Sequence, residues 1–263
     1  MIYYNGFTIL ESKLENGFPF SLPIFRHNSE LEFNKPITIF VGENGSGKST
    51  LLESLAISMN LPAIGSIDLE SDATLTDLQS FADHLRGKWS HKTYKGFFFR
   101  AEDYFGFVKR LNSMRKEFDE EIVDFEKQLS GSGLKRAVGT VLGQKEALQK
   151  KYGDLNKVSH GEGFLKVLQH RIQPEGIYLI DEPEAALSPQ RQLGLYALIK
   201  QMAEIENCQF IIATHSPILM TLPNSQLFEF EGETIKETNY KETEHFTVLK
   251  QFLNNPEMFT RYL

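Results

Sequence analysis

The chain has 263 residues, 41% hydrophobic and 24% charged, proportions of a folded domain that exclude a disordered chain and a disulfide scaffold. Lys and Arg total 28 against 35 Asp and Glu, a net charge of −7, which argues against coating nucleic acid or an anionic membrane by bulk charge. The single cysteine, Cys208, cannot form a disulfide within the chain and sits in an apolar run, so a buried thiol in a reducing cytosol is expected. The N-terminus has no basic segment followed by an apolar one, and no apolar run approaches the roughly 18 residues that span a bilayer. The expectation is a cytoplasmic chain without membrane insertion.

In chain order, residues 1–41 read as short strands at 7–10, 31–33 and 37–41, punctuated by Pro19 and Pro23. A glycine-rich turn and an apolar helix over 51–59 follow. The stretch from Asn60 to Leu85 is polar, with Gly65, Ser66 and Asp72, and Gly96–Arg100 supplies a strand with three successive phenylalanines. Apolar residues at helical spacing run over 104–129 and break at 130–133, which predicts a hairpin of helices. Strands return at 177–180 and Gln209–Ala213, separated by a helix over 190–205. That alternation predicts a parallel α/β sheet. A hairpin is predicted over 227–235 and short helices over 246–263, interrupted at Pro256.

Residues 42–49, GENGSGKS, fit the pattern GxxxxGK[ST] and stand between the strand 37–41 and the helix 51–59, the context that makes the pattern a phosphate-binding loop. Gly42, Gly45 and Gly47 let backbone N–H groups converge on phosphate oxygens at a helix N-terminus, with Asn44, Ser46 and Thr50 contributing to the cradle. Lys48 is expected to reach the β- and γ-phosphates and Ser49 to ligate Mg²⁺. The strand 177–180 ends in Asp181 and Glu182, at the sheet edge where ligands bind in α/β folds. Asp181 is expected to hold Mg²⁺ and Glu182 to polarise the attacking water.

The remaining motifs resemble those of the small stand-alone ABC-type ATPases of bacteria. They stand in family order as PFSLP (19–23), FVGENGSGKSTLLE (40–53), FFRAE (98–102), SHGE (159–162), DEPEAALSPQRQ (181–192), FIIATHSP (210–217) and TEH…FLNNP (243–256). The resemblance implies a P-loop α/β fold of ABC-ATPase type, with a mixed sheet core and an inserted helical subdomain. It covers 1–263 as one ATPase domain, with the insert at about 60–156 and a C-terminal hairpin and helices at 227–263. It also implies that Ser159 and Gly161 are signature-loop contacts to ATP held by a second copy, and that His215 is the γ-phosphate sensor. MgATP hydrolysis and an ATP-dependent homodimer follow from the same resemblance. The family's usual glutamine after the strand Gly96–Arg100 is absent, leaving Arg100 or Glu102 in its place. The forms DEPE and THSP look more like DNA-repair and phage-defence ATPases than transporter subunits. The rivals are the ATP-binding subunit of a membrane transporter and an ATP-gated scaffold that regulates an effector protein.

Residues 127–157 carry seven Lys and Arg against Glu146 and Asp154. They read first as a solvated helix face balancing the acidic run 117–126, and second as a nucleic-acid contact through Lys145, Lys150 and Lys151. Only about 110 residues separate Thr50 from Ser159, too few at about 1.5 Å per residue for a long coiled-coil arm.

Overall fold

The computed structural model describes residues 1–10, 17–64 and 76–261. Its core is a six-stranded mixed sheet in the order β5-β6-β7-β3-β8-β9. These strands are β3 (Ile37–Gly42), β5 (Gly96–Arg100), β6 (Ile177–Asp181), β7 (Gln209–Ala213), β8 (Ser225–Glu231) and β9 (Thr234–Thr238). All neighbours are parallel except β8 and β9, which form an antiparallel hairpin. A second sheet joins β1 (Tyr4–Ile9) to β2 (Glu30–Glu32) and β4 (Leu85–Trp89), all antiparallel.

The four adjacent strands β5, β6, β7 and β3 are mainly apolar on both faces because both faces of the sheet are covered. Along β6, Tyr178 and Ile180 join one core while Ile177 and Leu179 join the other, and β7 alternates likewise between Phe210/Ile212 and Ile211/Ala213. The first core lies under α6 (His160–Arg171), α7 (Pro189–Glu204) and the start of α4 (Asp103–Gln128). The second lies under α2 (Lys48–Ser58), the short α1 (Pro23–His27) and the small sheet. Gln209, fully buried, joins the two sheets: its side-chain oxygen accepts from Tyr3 N and Tyr4 N at 2.9 Å, and its nitrogen donates to Tyr4 O at 2.8 Å. A buried amide is tolerated because its bonds are made.

The span 60–156 contains more than helices. Part of the polar stretch after Asn60 lies outside the described residues, as does the end of the predicted C-terminal helices at 262–263. Within the rest, α3 (Thr76–Ala82) buries Leu78 and Phe81 one turn apart, and β4 and β5 belong to the two sheets. The helical hairpin itself is α4 with α5 (Gly131–Tyr152). Tyr104, Phe107 and Leu111 of α4 enter the core, and the two helices then pack on each other. Of the basic residues on this hairpin, Lys145 pairs with Asp119 and Lys127 with Asp124, the latter at 3.0 Å. Phe20 is buried against Phe81 and His84, while Phe18 is exposed.

The C-terminal part comprises the β8–β9 hairpin, α8 (Glu244–Asn254) and α9 (Pro256–Thr260). Because β3, β5, β6, β7 and β8 run parallel, their carboxyl ends meet at one edge of the sheet. Arg100 stands opposite Asp181, Asp181 opposite Ala213, and Gly42 opposite Phe230.

Candidate functional site

The turn after β3 takes three glycines through the left-handed region, Gly42 at φ 142°, Gly45 at 79° and Gly47 at 97°. At Gly42 the reason is also contact: a Cβ there would lie 2.4 Å from Phe230 O of β8. Gly47 then starts α2 at Lys48, three residues before the apolar pattern begins, and directs the helix's unpaired N–H groups at the loop. Lys48 is buried. Its Nζ donates to Gly42 O at 2.8 Å and Glu43 O at 2.7 Å, so the ammonium lies across the mouth of the loop. Burial lowers its pKa against the opposing pull of Glu182, Asp181 and Glu184. Thr50 follows in the first turn, its carbonyl accepting from Ser54 Oγ at 2.7 Å.

Ser49 Oγ donates to Asp181 Oδ1 at 3.1 Å, joining the phosphate loop to the end of β6 across 132 residues of sequence. Asp181 is only 7% exposed. Burial pushes its carboxyl up to about 7, with Glu53 and Glu182 adding to the rise and the Ser49 hydroxyl and Arg100 opposing it. A hydroxyl and a carboxylate in contact beside a phosphate loop form the hard-oxygen donor set that suits Mg²⁺.

The chain bends sharply after Asp181. Glu182 sits in the left-handed region at φ 44° and ψ 50°, and its amide donates to Ala213 O of β7 at 2.9 Å. Its side chain is half-exposed, with Oε1 3.7 Å from His215 Nε2. Burial, followed by the charge of Lys48, lowers the His215 pKa. Electrostatics therefore favour a neutral imidazole.

Glu184 was quoted in the sequence pattern without a task, and the structure supplies one. Its carboxylate accepts from Thr214 Oγ1 at 2.7 Å and from the His215 amide, tying the turn after β6 to the turn after β7. Gln192 of α7 adds a second tie, accepting from Ser216 Oγ at 2.7 Å. These contacts hold Glu182 and His215 in register. Both partners lie about thirty residues downstream, so no local spacing could have revealed them. Glu184→Ala leaves a buried hydroxyl and a buried amide without an acceptor and should destabilise the fold by about 3 kcal/mol in urea unfolding. Glu184→Gln keeps an acceptor oxygen and should lose less.

Arg100 ends β5, and its guanidinium pairs with Glu53 of α2 at 3.0 Å, Asp103 of α4 at 3.1 Å and Glu102 at 3.5 Å. Arg100, Glu53 and Asp103 are largely covered while the Glu102 side chain is 75% exposed. At this position Arg100 thus links the phosphate-loop helix to the helical hairpin.

Residues 42–46, His215, the β8–β9 turn (229–232) and the first turns of α8 line a cleft of 740 Å³. Ser159 and Gly161 do not line it. Ser159 is an exposed cap at the start of α6, its hydroxyl accepting from Glu162 N at 3.4 Å. Gly161 is buried, and a Cβ there would lie 2.8 Å from Arg191 Cδ and 3.0 Å from Ala186 O. Its lack of a side chain is needed for packing within its own subunit. The structure thus gathers Gly42, Asn44, Gly45, Ser46, Gly47, Lys48, Ser49, Asp181, Glu182 and His215 at one edge and leaves Ser159 outside the lining of the cleft.

Known proteins carry the same kind of domain. Over 205 residues the chain is 27% identical to the lipoprotein-releasing system ATP-binding protein LolD of Ehrlichia ruminantium, covering 73% of this chain and 80% of LolD. It is 28% identical over 179 residues to the ergothioneine transport ATP-binding protein EgtV of Helicobacter pylori, covering 66% and 75%. A shorter match, 39% over 56 residues, is to the OLD nuclease of Thermus scotoductus, 21% of this chain and 11% of the nuclease. Among solved structures, the ADP conformation of MJ1267, an ATP-binding cassette of an ABC transporter, aligns at 17% identity over 100% of this chain and 98% of its own, with a TM-score of 0.48. The Smc head domain from Pyrococcus furiosus aligns at 11% identity, over 96% and 100%, with a TM-score of 0.48. A family model described as "AAA domain" matches residues 13–60, which hold the phosphate loop. A second, described as "AAA ATPase domain", matches residues 63–220, more than half of the chain. The chain belongs to the AAA ATPase domain family.

Proposed function

We propose that the protein binds ATP with Mg²⁺ and hydrolyses it to ADP and phosphate. The observation that carries this reading is the Ser49–Asp181 hydrogen bond beside the buried Lys48, which joins the glycine-rich loop to the buried acid that ends β6. In this reading the loop N–H groups from Gly42 to Ser49 and the Lys48 ammonium hold the phosphate oxygens and stabilise charge as the terminal phosphoryl leaves. Ser49 and Asp181 hold Mg²⁺, which supplies neutralisation of the β- and γ-phosphate charge. Glu182, half-exposed beside His215, orients the attacking water and accepts its proton. His215 donates a hydrogen bond toward the γ-phosphate.

Two copies are proposed to enclose two ATP molecules. What supports this is the placement of Ser159, exposed at the N-terminus of α6 and outside the lining of its own cleft. A second subunit would bring those helix donors to the γ-phosphate. The relatives LolD, named for a lipoprotein-releasing system, and EgtV, named for ergothioneine transport, are both called ATP-binding proteins and support a second reading as an energy-coupling subunit for a membrane partner. No helix among the described residues is long and apolar enough to cross a membrane. A stand-alone cytosolic ATPase in a DNA-repair-like or phage-defence context is the reading that the motif set favours.

Calorimetry with MgATP tests the core of the proposal. Lys48→Ala should weaken ATP binding about a hundredfold, the loss of a charge-assisted contact to phosphate. Its circular dichroism should be unchanged. Equal affinity in the two proteins would refute the site.

A further inference from the structure

The pattern at residues 243–256 has no task in phosphate or metal binding, yet it folds over the site. Thr243, 1% exposed, donates its hydroxyl to Tyr240 O at 2.8 Å and accepts from Phe246 N at 3.3 Å. That anchorage places the first turns of α8, a helix with no buried residue of its own, in the wall of the cleft opposite residues 42–46. From there the ring of His245 meets the ring of His215, with centroids 5.8 Å apart and planes inclined at 60°.

His215 needs such a support. Its backbone amide is held by Glu184, but its Nε2 is buried and makes no hydrogen bond among the described residues, with the Glu182 carboxylate at 3.7 Å. The imidazole is therefore held by its 3.7 Å approach to Glu182 and by packing, and among the described residues His245 is the ring against which it packs.

We propose that His245 is a positioning residue for His215: carried by the first turn of α8, its ring holds the His215 imidazole beside Glu182 and makes α8 a wall of the nucleotide site in its own subunit. This rests on the reading of the cleft as an ATP site. An inclined ring pair of this kind biases a side-chain equilibrium by up to about tenfold, so hydrolysis slows by that factor without it. The contact is one of ring against ring, so phenylalanine replaces histidine and glutamine does not.

The test uses His245→Ala, His245→Phe and His245→Gln in the full chain. In the nucleotide-free protein the His215 Hε1 resonance, assigned through His215→Gln, should move in His245→Ala by loss of the neighbouring ring. With MgATP, kcat should fall about tenfold in His245→Ala at a KM within about twofold of the parent, and His245→Phe should restore it. An unmoved His215 resonance, or an unchanged kcat in His245→Ala with the parent active, overturns the proposal and leaves the ATPase reading standing. Recovery by His245→Gln in place of His245→Phe also overturns it, because His245 then acts by hydrogen bonding. If the parent turns over ATP no faster than Lys48→Ala, the ATPase reading fails and takes the proposal with it. The melting temperature of His245→Phe reports whether the fold is intact.

Discussion

Glu182→Gln should abolish turnover while preserving ATP binding, and the retained nucleotide should hold two chains together. The carboxylate lies at the end of β6 on a strained left-handed residue, half-exposed and within 3.7 Å of His215. Glutamine matches its shape but cannot accept the proton of an attacking water. General-base catalysis contributes about 10²- to 10⁴-fold, so a fall in kcat of that size is expected. Lys48, Ser49 and Asp181 are untouched, and ATP affinity should stay within a few-fold. Static light scattering should then report a doubled mass for Glu182→Gln with MgATP and a single chain without it. Adding Ser159→Arg places a long cation at the exposed cap of α6, away from the cleft, and should block pairing without weakening ATP binding. A protein that stays monomeric at saturating ATP, yet hydrolyses at a rate per subunit independent of its own concentration, would refute the two-copy arrangement and leave the single-chain site.

The parts of this site that sequence reading reached are those where motif and element are contiguous. A strand with both faces buried, a glycine turn and a helix start occupy one short stretch at 37–58, and Asp181 and Glu182 directly follow an apolar strand. Their meeting at one sheet edge follows from parallel pairing, which the alternation of strand and helix already implied. The supports were not legible. Glu184 reads as an ordinary surface acid until the fold brings Thr214 and His215 to it. Arg100 reads as a replacement for a missing glutamine until Glu53, on a different element, is seen to pair with it. The strand β4, LRGKW, was missed because it is an edge of a small sheet with exposed residues in its middle, so only Leu85 carries a core signal. The helix α3 is only seven residues long and buries Leu78, Phe81 and Ala82, too short a stretch for a period to show. Gly161 carries a second constraint that its motif did not show, since a Cβ there would crowd Arg191 and Ala186 of its own subunit.

Asp181→Asn should stabilise the nucleotide-free protein at alkaline pH and remove its response to Mg²⁺. The ordinary carboxyl value is 3.8, and burial carries Asp181 to about 7 in the folded chain. Because the folded value lies above the unfolded one, the native state holds more protons between these limits. Stability from this group is therefore fully present below about pH 4 and lost as pH rises through about 7. At about 1.4 kcal/mol per pH unit the full loss is on the order of 4 kcal/mol. Asparagine carries no charge at any pH, so the variant's melting temperature should decline less between about pH 5 and pH 8 and should exceed the parent's at the upper end. In the parent, Asp181 gives up its proton when it takes Mg²⁺, so MgCl₂ with ATP should raise the melting temperature more at about pH 8 than at about pH 5. The variant should respond to ATP alone. Differential scanning calorimetry across this range decides the matter: parallel pH profiles for parent and variant, each raised equally by Mg²⁺, would place the metal elsewhere than on Ser49 and Asp181.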